Sequence, residues 1–306
     1  MGEDWELNHV GMTIGNRNAT LRHFQSIGVG VSVGPQPLLP YEPGEGSLTF
    51  YQTLEGDPIT NTYTTGGAHT FNDGESQIGD CQLECYPMRP GPGMFLSEYL
   101  ARKGPGINHI CFNTPSVEAD TEFFLRKGCA LMFNALVNGK TVENYLDTRT
   151  HGDLMISLRP PATDWEKAWK ANNQAHPLVN SWRFLGVGIG VKDLAATVAY
   201  YADIGFPEAT EAVSDAAIGS VCQSVAVGPL TFDFFTATSD TSVYAASLGL
   251  RGDGVNDISF AVADLVYETA RMQENGVVCL GTSADGRSSY FDTRGEGNIM
   301  LRLVQA

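Results

Sequence analysis

Short runs of alternating apolar and polar residues recur along the chain, each followed by a stretch with helical spacing. The alternation runs from Asn8 to Ile14, Asn108 to Asn113, Gly186 to Val191 and Asn256 to Val262. That period is the mark of a half-buried strand. After the second run, Val117, Phe123, Phe124 and Leu125 share a helical period within Ser116–Lys127. Gly128 then supplies a natural C-terminal stop. Three further strand-like runs follow in each unit, separated by Gly, Asn and Pro turns. The order strand, helix, strand, strand, strand predicts an α+β module whose sheet curls around one face.

The modules come as a repeated pair. HVGMTIGNRNATLRHFQSIGV at 9–29 aligns without a gap on GVGIGVKDLAATVAYYADIGF at 186–206. GINHICFNTPSVEADTEFFLRKG at 106–128 aligns on GVNDISFAVADLVYETARMQENG at 254–276, and YLDTRTHGDLMISL at 145–158 on YFDTRGEGNIMLRL at 290–303. The chain therefore reads as tandem βαβββ modules in two domains, 1–160 and 183–306, with 161–182 as linker. The linker follows Pro160 and is expected to carry a short helix, capped by Asp164 and reaching Lys170. Both halves keep an Asp-Thr-Arg run, Asp147-Thr148-Arg149 and Asp292-Thr293-Arg294, so these residues read as turn hydrogen bonds and an ion pair.

Composition narrows the partners. The 306 residues carry a formal charge of −16, and 42% are hydrophobic. A surface this acidic repels phosphate backbones and disfavours anionic membranes, so neither nucleic acid nor membrane is expected. There is no apolar run of about 18 residues, and the start, Met1-Gly2-Glu3-Asp4-Trp5-Glu6, lacks the parts of a signal peptide. The cysteines, Cys81, Cys85, Cys111, Cys129, Cys222 and Cys279, form no CxxC pair. They read as reduced, largely buried thiols of a cytoplasmic protein.

At this point the chain resembles the vicinal-oxygen-chelate superfamily of glyoxalases, bleomycin-resistance proteins and dioxygenases. The likeness is densest over residues 78–160, where DCQLECYPM, MFLSEYLARKGPGINHICF and GDLMISLRPP resemble methylmalonyl-CoA epimerase. The resemblance implies two cup-shaped mixed sheets, with metal ligands projecting into a cup from four strands. The implied ligands are His9 in LNHVGMTI, Glu84 in CQLECYP and His109 in GINHICF. The fourth position, usually Glu, falls on Ser157. That departure removes a carboxylate which in relatives serves as ligand, base or both.

The alternation agrees with that placement. His9 shares a strand face with Gly11, His109 with Cys111 and Asn113, and Glu84 with Gln82, each opposite apolar neighbours. A buried carboxylate needs a partner, and a cation shared with two imidazoles provides one. Such ligands suit one divalent ion of Fe, Mn, Co, Ni or Zn, with positions left open for substrate. In the second half the matching residues are Gly186, Asp233, Asp257 and Arg302. They are expected to pair as ions in a degenerate copy without metal.

Gln82, Cys111, Asn113, Tyr145 and Ser157 are expected to line the cup around a small-molecule substrate. With Ser157 replacing Glu, a catalytic base must come from Glu84, Glu143 or His151, the last in an exposed turn. Residues 56–80, with His69 and Glu75, read as a mobile loop over the cup. The first functional reading is a metal-dependent isomerase, epimerase or lyase, with a metal-stabilised enolate. The alternatives are a non-haem Fe(II) dioxygenase of extradiol type and a small-molecule-binding protein of resistance type. A homodimer is left open.

Overall fold

The computed structural model describes residues 2–33, 44–53, 56–65 and 75–306. The first half begins with β1 (Glu6–Ile14), α1 (Arg17–Ser26), β2 (Val31–Val33), β3 (Gly44–Phe50), β4 (Ile59–Thr65), β5 (Glu75–Ile78) and β6 (Cys81–Pro87). It continues with α2 (Phe95–Lys103), β7 (Gly106–Asn113), α3 (Val117–Arg126), β8 (Ala130–Val137), β9 (Lys140–Asp147) and β10 (Met155–Arg159). The helix α4 (Asp164–Gln174) leads to β11 (Arg183–Gly190), α5 (Leu194–Asp203), β12 (Val213–Asp215), β13 (Ser220–Val227) and β14 (Leu230–Ala237). Then come α6 (Ala245–Arg251), β15 (Gly254–Val262), α7 (Leu265–Glu274), β16 (Val278–Thr282), β17 (Ser288–Asp292) and β18 (Met300–Gln305).

Each half is one mixed sheet built on the same centre. β1 and β7 run antiparallel, β6 lies parallel to β1, and β10 lies parallel to β7. β11, β15, β14 and β18 repeat that arrangement. The strand orders are β2-β5-β6-β1-β7-β10-β9-β8-β3-β4 and β12-β13-β14-β11-β15-β18-β17-β16. This is the α+β architecture of paired βαβββ modules that the sequence predicts.

One element departs from it. Three strands are expected after the first helix, whereas five are found among the described residues. β3 and β4 form an extra hairpin whose β3 pairs with β8, extending the far edge of the sheet. Its strands, GEGSLTF and ITNTYTT, hold few apolar residues. An edge hairpin with little to bury shows no apolar alternation, so the sequence reading missed it. The stretch 56–80 thus contains β4 and β5, while His69 lies outside the described residues.

The apolar side of the alternation builds the core. Val10, Met12, Ile14, Leu83, Ile110 and Phe112 are fully buried behind the first sheet. They join Phe24 of α1, Phe124 of α3, Tyr201 of α5, Met272 of α7 and the back of the second sheet in one cluster. α3 begins at Ser116, whose side chain accepts from the Ala119 amide, and is followed by Gly128 at φ 87°. The linker helix is capped by Thr163 rather than Asp164, because Thr163 and Glu166 form a reciprocal capping box. It also runs past Lys170, whose Nζ donates to the Asn8 carbonyl at 2.7 Å. The Asp-Thr-Arg runs are structural in both halves. Arg149 pairs with Asp147 and Arg294 with Asp292, each at 2.7 Å, while Thr148 and Thr293 donate to the Leu154 and Ile299 carbonyls.

Candidate metal centre

The face of the first sheet opposite that core brings His9, Glu84 and His109 together. His9 Nε2 lies 2.9 Å from Glu84 Oε2 and 3.2 Å from His109 Nε2. The three residues are 4%, 7% and 0% exposed, so the cluster is buried. Strand register explains the meeting: Gly11 on β1 lies opposite both Glu84 on β6 and His109 on β7. A Cβ at Gly11 would stand 1.8 Å from His109 Cε1, so glycine is what lets the imidazole cross β1.

Each histidine is oriented by the asparagine before it. His9 Nδ1 donates to Asn8 Oδ1 at 2.8 Å, and His109 Nδ1 donates to Asn108 Oδ1 at 2.7 Å. Consecutive residues of a flat strand face opposite ways, so these contacts need irregular backbone. The β1–β7 ladder supplies it: the register shifts between Leu7 and His9 and between Gly11 and Met12, leaving Asn8 and Asn108 as the extra residues. Asn8 Nδ2 is held by Asn113 Oδ1 and Asn108 Nδ2 by Thr13 Oγ1, which fixes both amides. Nδ1 of each ring therefore carries a proton. His109 Nε2 presents a lone pair to the cluster, while His9 Nε2 donates to Glu84 Oε2 at 2.9 Å with a proton that a bound cation would displace.

That donor set fits a cation. Two imidazole nitrogens and a carboxylate oxygen converge within 4.8 Å in a buried place. Burial, then the charge of His9, drives the His109 pKa from 6.5 to about 3, so it is neutral at pH 7. Burial raises Glu84, but the charge and hydrogen bond of His9 outweigh it and hold the carboxyl down at about 2. A neutral imidazole and an ionised carboxylate are the forms that ligate metal. In this geometry the Tyr145 hydroxyl donates to His109 Nε2 at 3.1 Å.

Two predictions arise here. Asn8→Ala and Asn108→Ala each free one ring to rotate and should weaken divalent-metal affinity roughly 10–100-fold, read by competition with a chromophoric chelator. Native affinity in both variants would remove the positioning role. The second concerns acid. An unfolded His109 takes up a proton below 6.5, whereas the folded one does so only near 3. Stability should therefore fall as pH drops through that window, by on the order of a few kcal/mol, and His109→Gln should flatten the fall in metal-free denaturation curves.

The fourth position is not left without a carboxylate. Ser157 Oγ donates to Glu143 Oε1 at 2.6 Å, and the Cys111 thiol approaches the same oxygen at 3.7 Å. Glu143 comes from β9, two residues before Tyr145 and on the same face. A carboxylate oxygen of Glu143, a ring nitrogen of His9 and Cys111 Sγ lie within 4.8 Å of one another. Gln82 lies on the same face of β6 as Glu84. Asn113 sits at the end of β7, supporting Asn8 and donating to the Pro160 carbonyl.

His151 is not brought to this cluster. Its ring lies 5.3 Å from that of Tyr200 on α5, on the side where the halves pack. Glu75, read as a loop residue, is 2% exposed on β5 and directly opposite Glu84. The two-residue turn Gly79-Asp80 between ESQI and CQLE was the available hairpin signal.

The second cup holds no such triad among the described residues. Its register partners of Glu84, His109 and Ser157 are Asp233, Asp257 and Arg302. Arg302 donates to Asp233 at 2.5 Å and to Asp257 at 3.1 Å, and Tyr244 and Ser224 donate to the same carboxylates. A guanidinium thus supplies the positive charge that the first cup is built to borrow.

This strand order, repeated in the two halves, is that of the vicinal-oxygen-chelate fold. Among solved structures, a triple variant of 4-hydroxymandelate synthase from Streptomyces coelicolor aligns with 98% of this chain and 92% of its own, with a TM-score of 0.59 and 13% identity. At that identity the likeness is one of fold. Methylmalonyl-CoA epimerases from Mycobacterium tuberculosis and Streptomyces coelicolor align with 40% of this chain and 87% and 94% of theirs, at 21% and 24% identity and a TM-score of 0.36. No family model matches the chain, and no curated protein does.

Proposed function

We propose that the first half is a metal-dependent enzyme that moves a proton on a small carbonyl or carboxylate substrate, as an isomerase, epimerase or lyase. The observation that carries this reading is Glu143, a carboxylate held by two donors with an oxygen within 4.8 Å of a ring nitrogen of His9, beside a ligand cluster that has three members among the described residues. A bound divalent ion would polarise two substrate oxygens and stabilise an enolate.

The chain's own residues would do the rest. Asn8 and Asn108 hold the imidazoles in their ligating tautomer. Glu143 accepts the substrate proton, and Ser157 steadies its Oε1 so that the group keeps one position. The apolar wall of Phe95, Leu96, Met132 and Met155 around Tyr145 excludes water from that side.

The test uses Glu143→Gln beside the parent protein. Elemental analysis should give equal metal in both. Deuterium uptake from D₂O into a panel of short 2-oxo and branched carboxylic acids should fall roughly 10²–10⁴-fold in the variant. Unchanged uptake would remove Glu143 as base.

A second reading is favoured by the ligand types themselves. Two histidines and one carboxylate with open positions suit non-haem Fe(II) oxygenases. Iron in the purified protein, with oxygen consumed in step with substrate and no deuterium uptake, would favour it.

A further inference from the structure

A cleft of 390 Å³ opens where α4 meets both halves, lined on one side by Trp5, Leu7, Phe184 and Leu230 and on the other by Gln77 and Gln82. We propose that it is a subsite for the neutral tail of the substrate, and that it binds a secondary amide or a hydroxyl group. The proposal deepens the reading of the first cup as a substrate-binding centre and rests on it.

The recognition elements are two buried glutamines. Gln77 and Gln82 are 2% and 4% exposed, and they are direct register partners across β5 and β6. Gln77 Nε2 donates to the Gly79 and Cys81 carbonyls, at 2.8 and 3.2 Å, which fixes which end of the amide faces the cleft. Its Oε1 then has no donor, and Gln82 Nε2 has no acceptor, among the described residues. Buried polar atoms are rarely left so. An acceptor and a donor side by side are complementary to one group that both donates and accepts. An N–H to Gln77 and a C=O to Gln82 would satisfy both, as would one hydroxyl.

Charge in the cleft points to a neutral group. The lining carries two acidic residues, Glu6 and Asp80, and two basic ones, Lys170 and Arg183, so it has no net charge; Asp80 accepts from the Phe184 amide at 2.6 Å and Lys170 donates to the Asn8 carbonyl at 2.7 Å. Glu6, Asp80 and Arg183 are exposed, and Lys170 is half-buried. The volume lies in the range of small-ligand sites.

The cleft lies beside the metal centre, its lining residues Asn8 and Gln82 being next and next but one in the chain to His9 and Glu84. Gln82 precedes Glu84 by two residues on one face of β6, roughly 7 Å along the strand. Asn8, which also lines the cleft, orients His9. A substrate with its oxygens at His9, Glu84 and His109 would reach the glutamines with its next few atoms.

The probe is N-butylacetamide, titrated at millimolar concentrations into the full-length protein, with 2-heptanone as an isostere that lacks the N–H. Binding is followed by NMR at the Gln82 side-chain amide and the Trp5 indole. Saturable shifts are expected, with the ketone at least about fivefold weaker, the worth of one neutral hydrogen bond. Gln82→Met should keep or raise the melting temperature, because it removes an unpartnered donor, whereas Gln77→Met also loses the bonds to the Gly79 and Cys81 carbonyls and should lower it; both should weaken the probe by about fivefold or more. Absence of saturable shifts, equal binding of the ketone, or marked destabilisation by Gln82→Met would overturn the subsite. Metal content is measured in the same samples. Probe failure with metal retained counts against the cleft alone, and metal unaffected by His109→Ala counts against the centre alone.

Discussion

Purified His109→Ala should hold almost no divalent metal under conditions where the parent protein holds close to one ion per chain. His109 is fully buried, and its Nε2 faces His9 Nε2 at 3.2 Å. Removing it leaves two ligands, a number from which no stable transition-metal site is usually built. Losing a partner that merely orients a ligand costs roughly 10–100-fold in affinity, so losing a ligand should cost more than that upper figure. His9→Ala should behave alike and should also leave Glu84 buried without its 2.9 Å partner. Elemental analysis after dialysis against a weak chelator reads the result, with circular dichroism confirming that each variant is folded. Equal metal in the parent and both folded variants would end the case for the centre.

Arg302→Leu should be the most destabilising single change in the second half. Its guanidinium holds two carboxylates inside the second cup and stacks over Phe235 at 5.2 Å. Burial pushes the Asp257 carboxyl above its ordinary value even with Arg302 beside it. Without the arginine, Asp233 and Asp257 must share a buried site as like charges or take up a proton. Breaking a buried ion pair in this way costs roughly 3–5 kcal/mol. Replacing all three by apolar residues of similar volume should return most of that loss, since the penalty comes from stranded charge rather than from lost attraction. Urea denaturation of the single and triple variants measures both. A single variant within about 0.5 kcal/mol of the parent would show that Arg302 does not hold the cup together.

The site was legible in the sequence to an uneven degree. His9, Glu84 and His109 stand out in the sequence because apolar residues follow each histidine and flank Glu84 on the opposite face, and the sheet keeps that separation of faces. The dipeptides Asn8-His9 and Asn108-His109 carried a further signal that went unread. Ordinary alternation sends an asparagine to the opposite face, and only the bulges in the β1–β7 ladder bring it back to the imidazole. His151 has the chemistry of a base, yet its ring lies against Tyr200 of α5. Glu75 reads as a loop residue in the sequence because the strand it belongs to is only Glu75–Ile78.

The repeat, the strand periods and the ligand types are properties of the chain itself, because a two-residue period and a pair of aligned segments survive without any knowledge of neighbours. What tertiary structure alone decided is which side chains arrive from elsewhere. Glu143 fills the place beside Ser157 because β9 lies next to β10, and β3–β4 widens the sheet because β8 offered a free edge. Gln77 and Gln82 face a cleft only because α4 folds back against β1. Contacts of that kind depend on strand order and sheet curvature, which are set by long-range packing and leave no local period to read.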